Sequence, residues 1–255
     1  MRTKTLKPRV LAQDKLVGTF LRTPAPEFIE LLAASGLDFI CLDGEHAPFD
    51  AARTDACMAT ARALDIPAMV RVPSGTAENI LKALDAGAVG IVVPHVLNAK
   101  MAADIARAAH FGLGGRGFHG TTRWAGYGDL DMAGLLEKST RETVVFAQIE
   151  EPEGVEAAAD IAAVDGIDGL FIGPSDLSVG YGKTDTNSPE LVSAFETVGA
   201  AAQSHDKALV TYVPNVEGAK KWHKFGVTVH VVGSEQKWIQ EGARSVVAGF
   251  QDFNA

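Results

Sequence analysis

Val144-Val145-Phe146-Ala147-Gln148-Ile149-Glu150-Glu151-Pro152 runs apolar through most of its length and then breaks into two acids and a proline. A strand with one wet face alternates apolar and polar residues. This one does not, so both its faces are buried, as in a parallel sheet covered by helices. The proline suits the first turn of a following helix, where an N–H is not needed. The same order recurs at Gly169-Leu170-Phe171-Ile172-Gly173-Pro174-Ser175-Asp176-Leu177-Ser178. Working outward, apolar runs at residues 17–21, 39–42, 69–72, 91–93, 209–213 and 229–232 bring the candidate strands to eight.

Helical patterns separate these runs. Residues 27–35 place Phe28, Leu31 and Leu32 on one face, and residues 76–86 do so with Ile80, Leu81 and Leu84 before stopping at Gly87. Ser188-Pro189-Glu190 opens another helix with an N-cap serine and a proline at the first helical position. Such alternation implies a parallel α/β sheet. Eight strands in 255 residues fit a single (β/α)8 barrel over the whole chain, 1–255, with a doubly wound open sheet as the alternative. The tail, about 234–250, reads as a helix whose Trp238, Ile239, Val246, Val247 and Phe250 suit either oligomer packing or the core.

Composition narrows the function. Lys and Arg total 23 against 32 Asp and Glu, a net charge of −9, which argues against nucleic acid or an anionic membrane as partner. Cys41 and Cys57 are too few for a disulfide framework and lie among apolar neighbours, so buried thiols are expected. The basic start Met1-Arg2-Thr3-Lys4 leads into no apolar stretch of signal-peptide length, and no run reaches the ~18 apolar residues of a membrane span. A cytoplasmic chain is expected.

In a barrel, chemistry sits at the carboxyl ends of the strands. There the sequence carries Asp43-Gly44-Glu45-His46, Arg71-Val72-Pro73, Gln148-Ile149-Glu150 and Gly173-Pro174-Ser175-Asp176. Glu150 and Asp176 can hold a hard divalent cation, Mg²⁺ or Mn²⁺ before zinc, because the donors are oxygens. Such an ion polarises a carbonyl. Arg71 offers a fork of donors for a carboxylate or enolate oxygen, and His46 can carry a proton near neutral pH. Metal, cation and base together describe proton abstraction or C–C cleavage beside a carbonyl.

These motifs, with Lys82-Ala83-Leu84-Asp85-Ala86-Gly87-Ala88 and Val93-Pro94-His95-Val96, resemble the HpcH/HpaI family over almost the whole chain. That family comprises class II metal-dependent aldolases that form or cleave 4-hydroxy-2-oxo acids with pyruvate (or hydroxypyruvate) as nucleophile, in routes such as aromatic compound catabolism. The resemblance implies His46 as base, Arg71 at the transition state, and metal at Glu150 and Asp176, with Co²⁺ also admissible. It implies substrate contacts from Gln148, Ser175 and the backbone around Gly173 and Pro174, and has Asp85 raise the histidine's basicity. Related enolate enzymes, citrate or malyl-CoA-type lyases and oxaloacetate decarboxylase, form the alternative. Residues 118–127 and 211–215 depart from the usual pattern, and both belong near the acceptor aldehyde, with Trp124 and Tyr127 as walls of its pocket.

Asp85 carries a further expectation. It ends a helix that runs about ten residues, or ~15 Å, away from the catalytic rim. It should not reach His46 of its own subunit, so if it raises that histidine's basicity, as the resemblance implies, a neighbour must present it; the expected partner is a second copy of the chain, in a hexameric or trimer-based homo-oligomer. Two signals are declined. Gly112-Leu113-Gly114-Gly115-Arg116-Gly117 has dinucleotide-loop spacing but follows a helix, residues 100–109, and starts none; it reads as a mobile or substrate-covering loop. His95, His110, His119, His205, His223 and His230 lack metal-ligand spacing and read as structural or exposed, His95 least firmly because it follows a strand-ending proline.

Overall fold

The computed structural model describes residues 1–253. Eight parallel strands close into a barrel in sequence order. They are β1 (Leu16–Leu21), β2 (Phe39–Asp43), β3 (Ala68–Arg71), β4 (Gly90–Val93), β5 (Val144–Ile149), β6 (Gly169–Ile172), β7 (Ala208–Val213) and β8 (Val227–Ser234). The open sheet is thereby excluded, since β1 pairs with both β2 and β8. Strand β8 is longer than the sequence suggests, because a register shift opposite Leu209 and Val210 absorbs Thr228.

The helices in chain order are α1 (Leu6–Leu11), α2 (Pro26–Ala33), α3 (Ala51–Ala63), α4 (Ala77–Asp85), α5 (Ala99–Ala109) and α6 (Met132–Glu142). There follow α7 (Pro152–Glu156), α8 (Ala158–Ala162), α9 (Pro174–Gly180), α10 (Pro189–Ser204), α11 (Val216–His223) and α12 (Glu235–Phe253). Ser188 caps α10 by accepting the Leu191 N–H, as its position predicts. None of these helices is long and apolar enough to cross a membrane.

Continuous apolar strands make sense once the two cores are separated. Phe39, Cys41, Met69, Val144, Phe146, Phe171, Val210 and Val229 fill the barrel interior. Their neighbours in sequence, Ile40, Leu42, Val70, Val145, Ala147, Leu170, Ile172 and Leu209, pack outward against the helices. Each strand therefore buries both faces with period two. Helix α1, absent from the sequence reading, stops the lower end of the barrel. Its Leu6 and Val10 join the interior, and Lys7 pairs with buried Asp168 at 3.1 Å while donating to the Thr143 carbonyl. Cys41 and Cys57 are free and buried, and burial pushes their thiols up to about 12 and about 11.

Candidate active site

The inward set of side chains continues past the apolar layers to the carboxyl end of the barrel. Counting by two from Cys41 reaches Asp43; from Met69, Arg71; from Phe146, Gln148; from Phe171, Gly173. The same step from Phe20 reaches Arg22, and from Val210, Tyr212. All six line one pocket of about 280 Å³ together with His46, Ser175 and Asp176. Alternation thus converts an apolar barrel into a polar mouth within one residue step.

Arg71 is buried, and its guanidinium lies 4.4 Å from the centre of the Phe20 ring. Its Nε and Nη2 both donate to Asp43 Oδ1, at 3.0 and 2.8 Å, and Glu45 Oε2 stands 3.4 Å from Nε. Asp43 also accepts the His46 N–H at 3.1 Å, which turns the exposed imidazole over the mouth. His46 Nε2 stands 3.7 Å from Glu45. Gly44 is needed here: a Cβ would sit 2.7 Å from the Arg71 carbonyl, which receives the Gly44 N–H.

Two strands further on, Gln148 donates from Nε2 to the buried carboxylate of Glu150. Glu150 also accepts the His95 N–H at 3.0 Å. His95 stands in the left-handed region at φ 58°, unusual for a residue other than glycine, and so swings its ring into a nest of acids. Its Nδ1 meets Glu151 at 2.5 Å and Glu150 at 3.3 Å, and its Nε2 meets Glu45 at 3.3 Å. Burial pulls the His95 pKa down, yet Glu151, Glu150 and Glu45 outweigh it and leave it raised. Burial pushes Glu150 up; the bonds from Gln148 and the His95 N–H only partly reverse this, and the charge of Glu45 adds to it.

This side suits a cation. Ligand atoms of Glu45, His95 and Glu150 lie within 4.8 Å of one another. Gln148 Oε1 and Glu45 Oε2 are buried acceptors with no hydrogen-bond partner, and a Cβ on Gly173 would strike Glu150 Oε2 at 2.8 Å. Orphaned hard oxygens beside a carboxylate raised by burial match the needs of Mg²⁺ or Mn²⁺. The expected pair, Glu150 and Asp176, is split in character. Glu150 is buried beneath Gln148, whereas Asp176 is exposed in the first turn of α9 and lines the pocket with Ser175.

Three expected residues lie elsewhere in their own chain. Asp85 ends α4 and pairs with Arg116, whose guanidinium is wholly buried between the rings of Phe111 (4.8 Å) and Trp124 (4.6 Å). Trp124 packs with Ala125 and Leu135, and Tyr127 lies exposed with Arg62 and Arg123 near its ring. Neither lines the mouth pocket. The glycine-rich segment is likewise no open lid: Arg116 N donates to the His110 carbonyl at 2.8 Å and the turn closes on its buried arginine. Sequence reading misses Arg22; it places Asp43 and Glu45 at the mouth without a role, Tyr212 only within a segment near the acceptor, and reads the acid-bound ring of His95 as structural or exposed. The period-two count would have found Arg22, Asp43 and Tyr212. The His95 contacts depend on a backbone twist that no pattern announces.

Fold and mouth define the class: a (β/α)8 enzyme with an acidic, cation-seeking pole facing a buried arginine. The chain belongs to the HpcH/HpaI aldolase/citrate lyase family, whose signature matches residues 16–241. It is 29% identical over 247 residues to a hydroxypyruvate/pyruvate aldolase of Roseovarius nubinhibens, covering 96% of each chain. Identity to a 5-keto-4-deoxy-D-glucarate aldolase of Enterobacter sp. (strain 638) is 28%, again with 96% of each covered. Among solved structures, an HpcH/HpaI aldolase/citrate lyase family protein of Burkholderia cenocepacia J2315 superposes with a TM-score of 0.90 at 28% identity, covering 97% of this chain and 99% of that one.

Proposed function

We propose that the chain is a divalent-metal-dependent aldolase that reversibly cleaves 4-hydroxy-2-oxo acids to pyruvate, or hydroxypyruvate, and an aldehyde. The observation that carries this reading is the meeting of two poles at one small pocket: the orphaned oxygen of Gln148, beside the buried carboxylate of Glu150, and the guanidinium of Arg71. Both curated relatives described above are named as aldolases, which supports it. A cation held by Glu150 and Asp176 would supply Lewis-acid polarisation of the oxo acid's keto group.

The protein's own residues do the rest. Gln148 and Ser175 seat the oxo acid beside the turn at Gly173 and Pro174. His46, exposed to solvent and fixed at its backbone by Asp43, takes a proton from the carbon beside the keto group. The negative charge of the resulting enolate faces Arg71, preorganised by Asp43 and shielded by Phe20. The enolate carbon attacks the aldehyde carbon, and the new alkoxide takes the proton back from His46. Cleavage is the reverse.

The test is exchange of pyruvate methyl protons in heavy water, followed by NMR with no aldehyde present. Exchange should need Mg²⁺, Mn²⁺ or Co²⁺, stop on chelation, and fall at least about 100-fold in Glu150→Gln. Exchange that survives exhaustive chelation, or an undiminished Glu150→Gln, overturns the reading. Turnover confined to CoA thioesters would favour a citrate or malyl-CoA-type lyase instead.

A further inference from the structure

The proposed chemistry uses one side of the mouth, β2 to β6, and leaves Arg22, just past the end of β1, without a task. Its guanidinium lines the same pocket, across the barrel from Gln148 and beside Tyr212 and Ser234. It is poorly satisfied. Nε is buried with no hydrogen-bond partner and stands 3.4 Å from Asp43 Oδ2, while Nη2 reaches the His46 carbonyl only at 3.3 Å. Nη1 has no hydrogen-bond partner among the described residues. Asp43 cannot be its dedicated counterion, because that carboxylate already takes two bonds from Arg71 through Oδ1.

The arginine is nevertheless held in place from behind. The buried carboxylate of Glu235, first residue of α12, accepts the backbone N–H of Arg22 at 3.1 Å and of Thr23 at 2.6 Å. Gln236 Nε2 adds a bond to Thr23 Oγ1 at 3.2 Å. A carboxylate deep in the fold has been used to fix a loop whose cation then points, half-exposed, into the pocket with unused donors. Arg71 makes both bonds to Asp43 Oδ1 and has Glu45 at 3.4 Å as well, so the donors of Arg22 are the ones left unspent at this rim. That is how a second anion seat is built.

We propose that Arg22 is a specificity residue forming a carboxylate subsite for the acceptor, so that the aldehyde partner is itself a short oxo acid. This rests on the aldolase reading, because it presupposes an acceptor. With one oxo acid seated at Gln148, a pocket of about 280 Å³ leaves room for a short second molecule only. Charge on the acceptor is then read strictly and its chain length loosely, since apolar contacts discriminate only about 10–200-fold per methylene.

The experiment compares initial rates of pyruvate addition to size-matched acceptors: succinic semialdehyde against pentanal, and glyoxylate against glycolaldehyde. The wild-type enzyme should favour each carboxylate-bearing member by about 100-fold or more in kcat/KM. In Arg22→Met that ratio should collapse toward one, and Arg22→Lys should recover only part of it. Equal use of charged and neutral acceptors by the wild type overturns the subsite, even if the variants fail to fold. An unchanged ratio in a folded Arg22→Met overturns it as well. Wild-type proton exchange with pyruvate alone reports the parent reading separately. Exchange without charge preference sinks only the subsite, and no exchange sinks the aldolase.

Discussion

At position 71 the side chain makes three kinds of contact at once: a ring face against Phe20, two N–H bonds to Asp43, and an ion pair with Glu45. A lysine could keep the charge but not the planar fork or the stacking. Arg71→Lys should therefore lower kcat about 10²–10³-fold, the usual cost of losing one preorganised oxyanion donor, while KM for pyruvate shifts less. Unchanged kcat with a lowered melting temperature would make Arg71 a structural ion-pair partner instead. At this scale the sequence was readable wherever a polar residue interrupted an apolar run at a strand end. Arg71, Gln148 and Glu150 stand out in that way. Glu45 and His95 do not, because their roles arise from contacts between loops far apart in sequence.

Apart from β8, the strands were legible to within about a residue, since burial on both faces leaves an uninterrupted apolar signal. What stayed hidden was the packing of charge against elements with no periodic mark, such as α1 under the barrel and Arg116 inside its turn. Strand β8 offers a measurable instance. His230 is buried on its outer side, with Nδ1 unpartnered and the His223 ring 6.3 Å away. Burial, helped by the charges of His223 and Lys15, lowers its pKa from an ordinary 6.5 to about 4. With the folded value depressed, the unfolded chain gains its proton first on acidification. The contribution of the neutral ring is whole above about pH 6.5 and is lost as pH falls toward 4. Allowing for partial solvation, the loss should be about 1–2 kcal/mol. Urea unfolding at pH 7 and pH 5 should show a smaller drop for His230→Gln than for the wild type; equal drops would remove His230 as the cause.

For the whole molecule, two features bear on the expected homo-oligomer. Asp85 faces away from its own mouth, locked to Arg116, and α12 exposes Ile239, Val246 and Val247 over more than half their area, at 55, 72 and 57%. If a neighbour's Asp85 serves His46, then His46→Ala and Asp85→Ala proteins should each be nearly inactive alone. Dissociated, mixed and reassembled, they should regain a clear fraction of wild-type turnover, because some mixed interfaces pair an intact histidine with an intact aspartate. Failure to complement, with mixed oligomers demonstrated by mass, would confine Asp85 to its buried pair. The barrel itself, being closed, could be read from strand count and spacing. The expected assembly rests on the resemblance together with the length of α4, which carries Asp85 away from the mouth.

The bond between Arg22 and Glu235 also sets a schedule. The two residues are 213 positions apart, so at ~5–20 residues per second a ribosome delivers the clamp roughly ten to forty seconds after the loop it must hold. Throughout that interval β8 is missing and the ring of strands stands open. The arginine just past the first strand gains its fixed position only once Glu235 has emerged. A seat for a second reactant at this arginine would therefore form only after Glu235 has joined the loop, and a product cut short before residue 235 would lack the clamp.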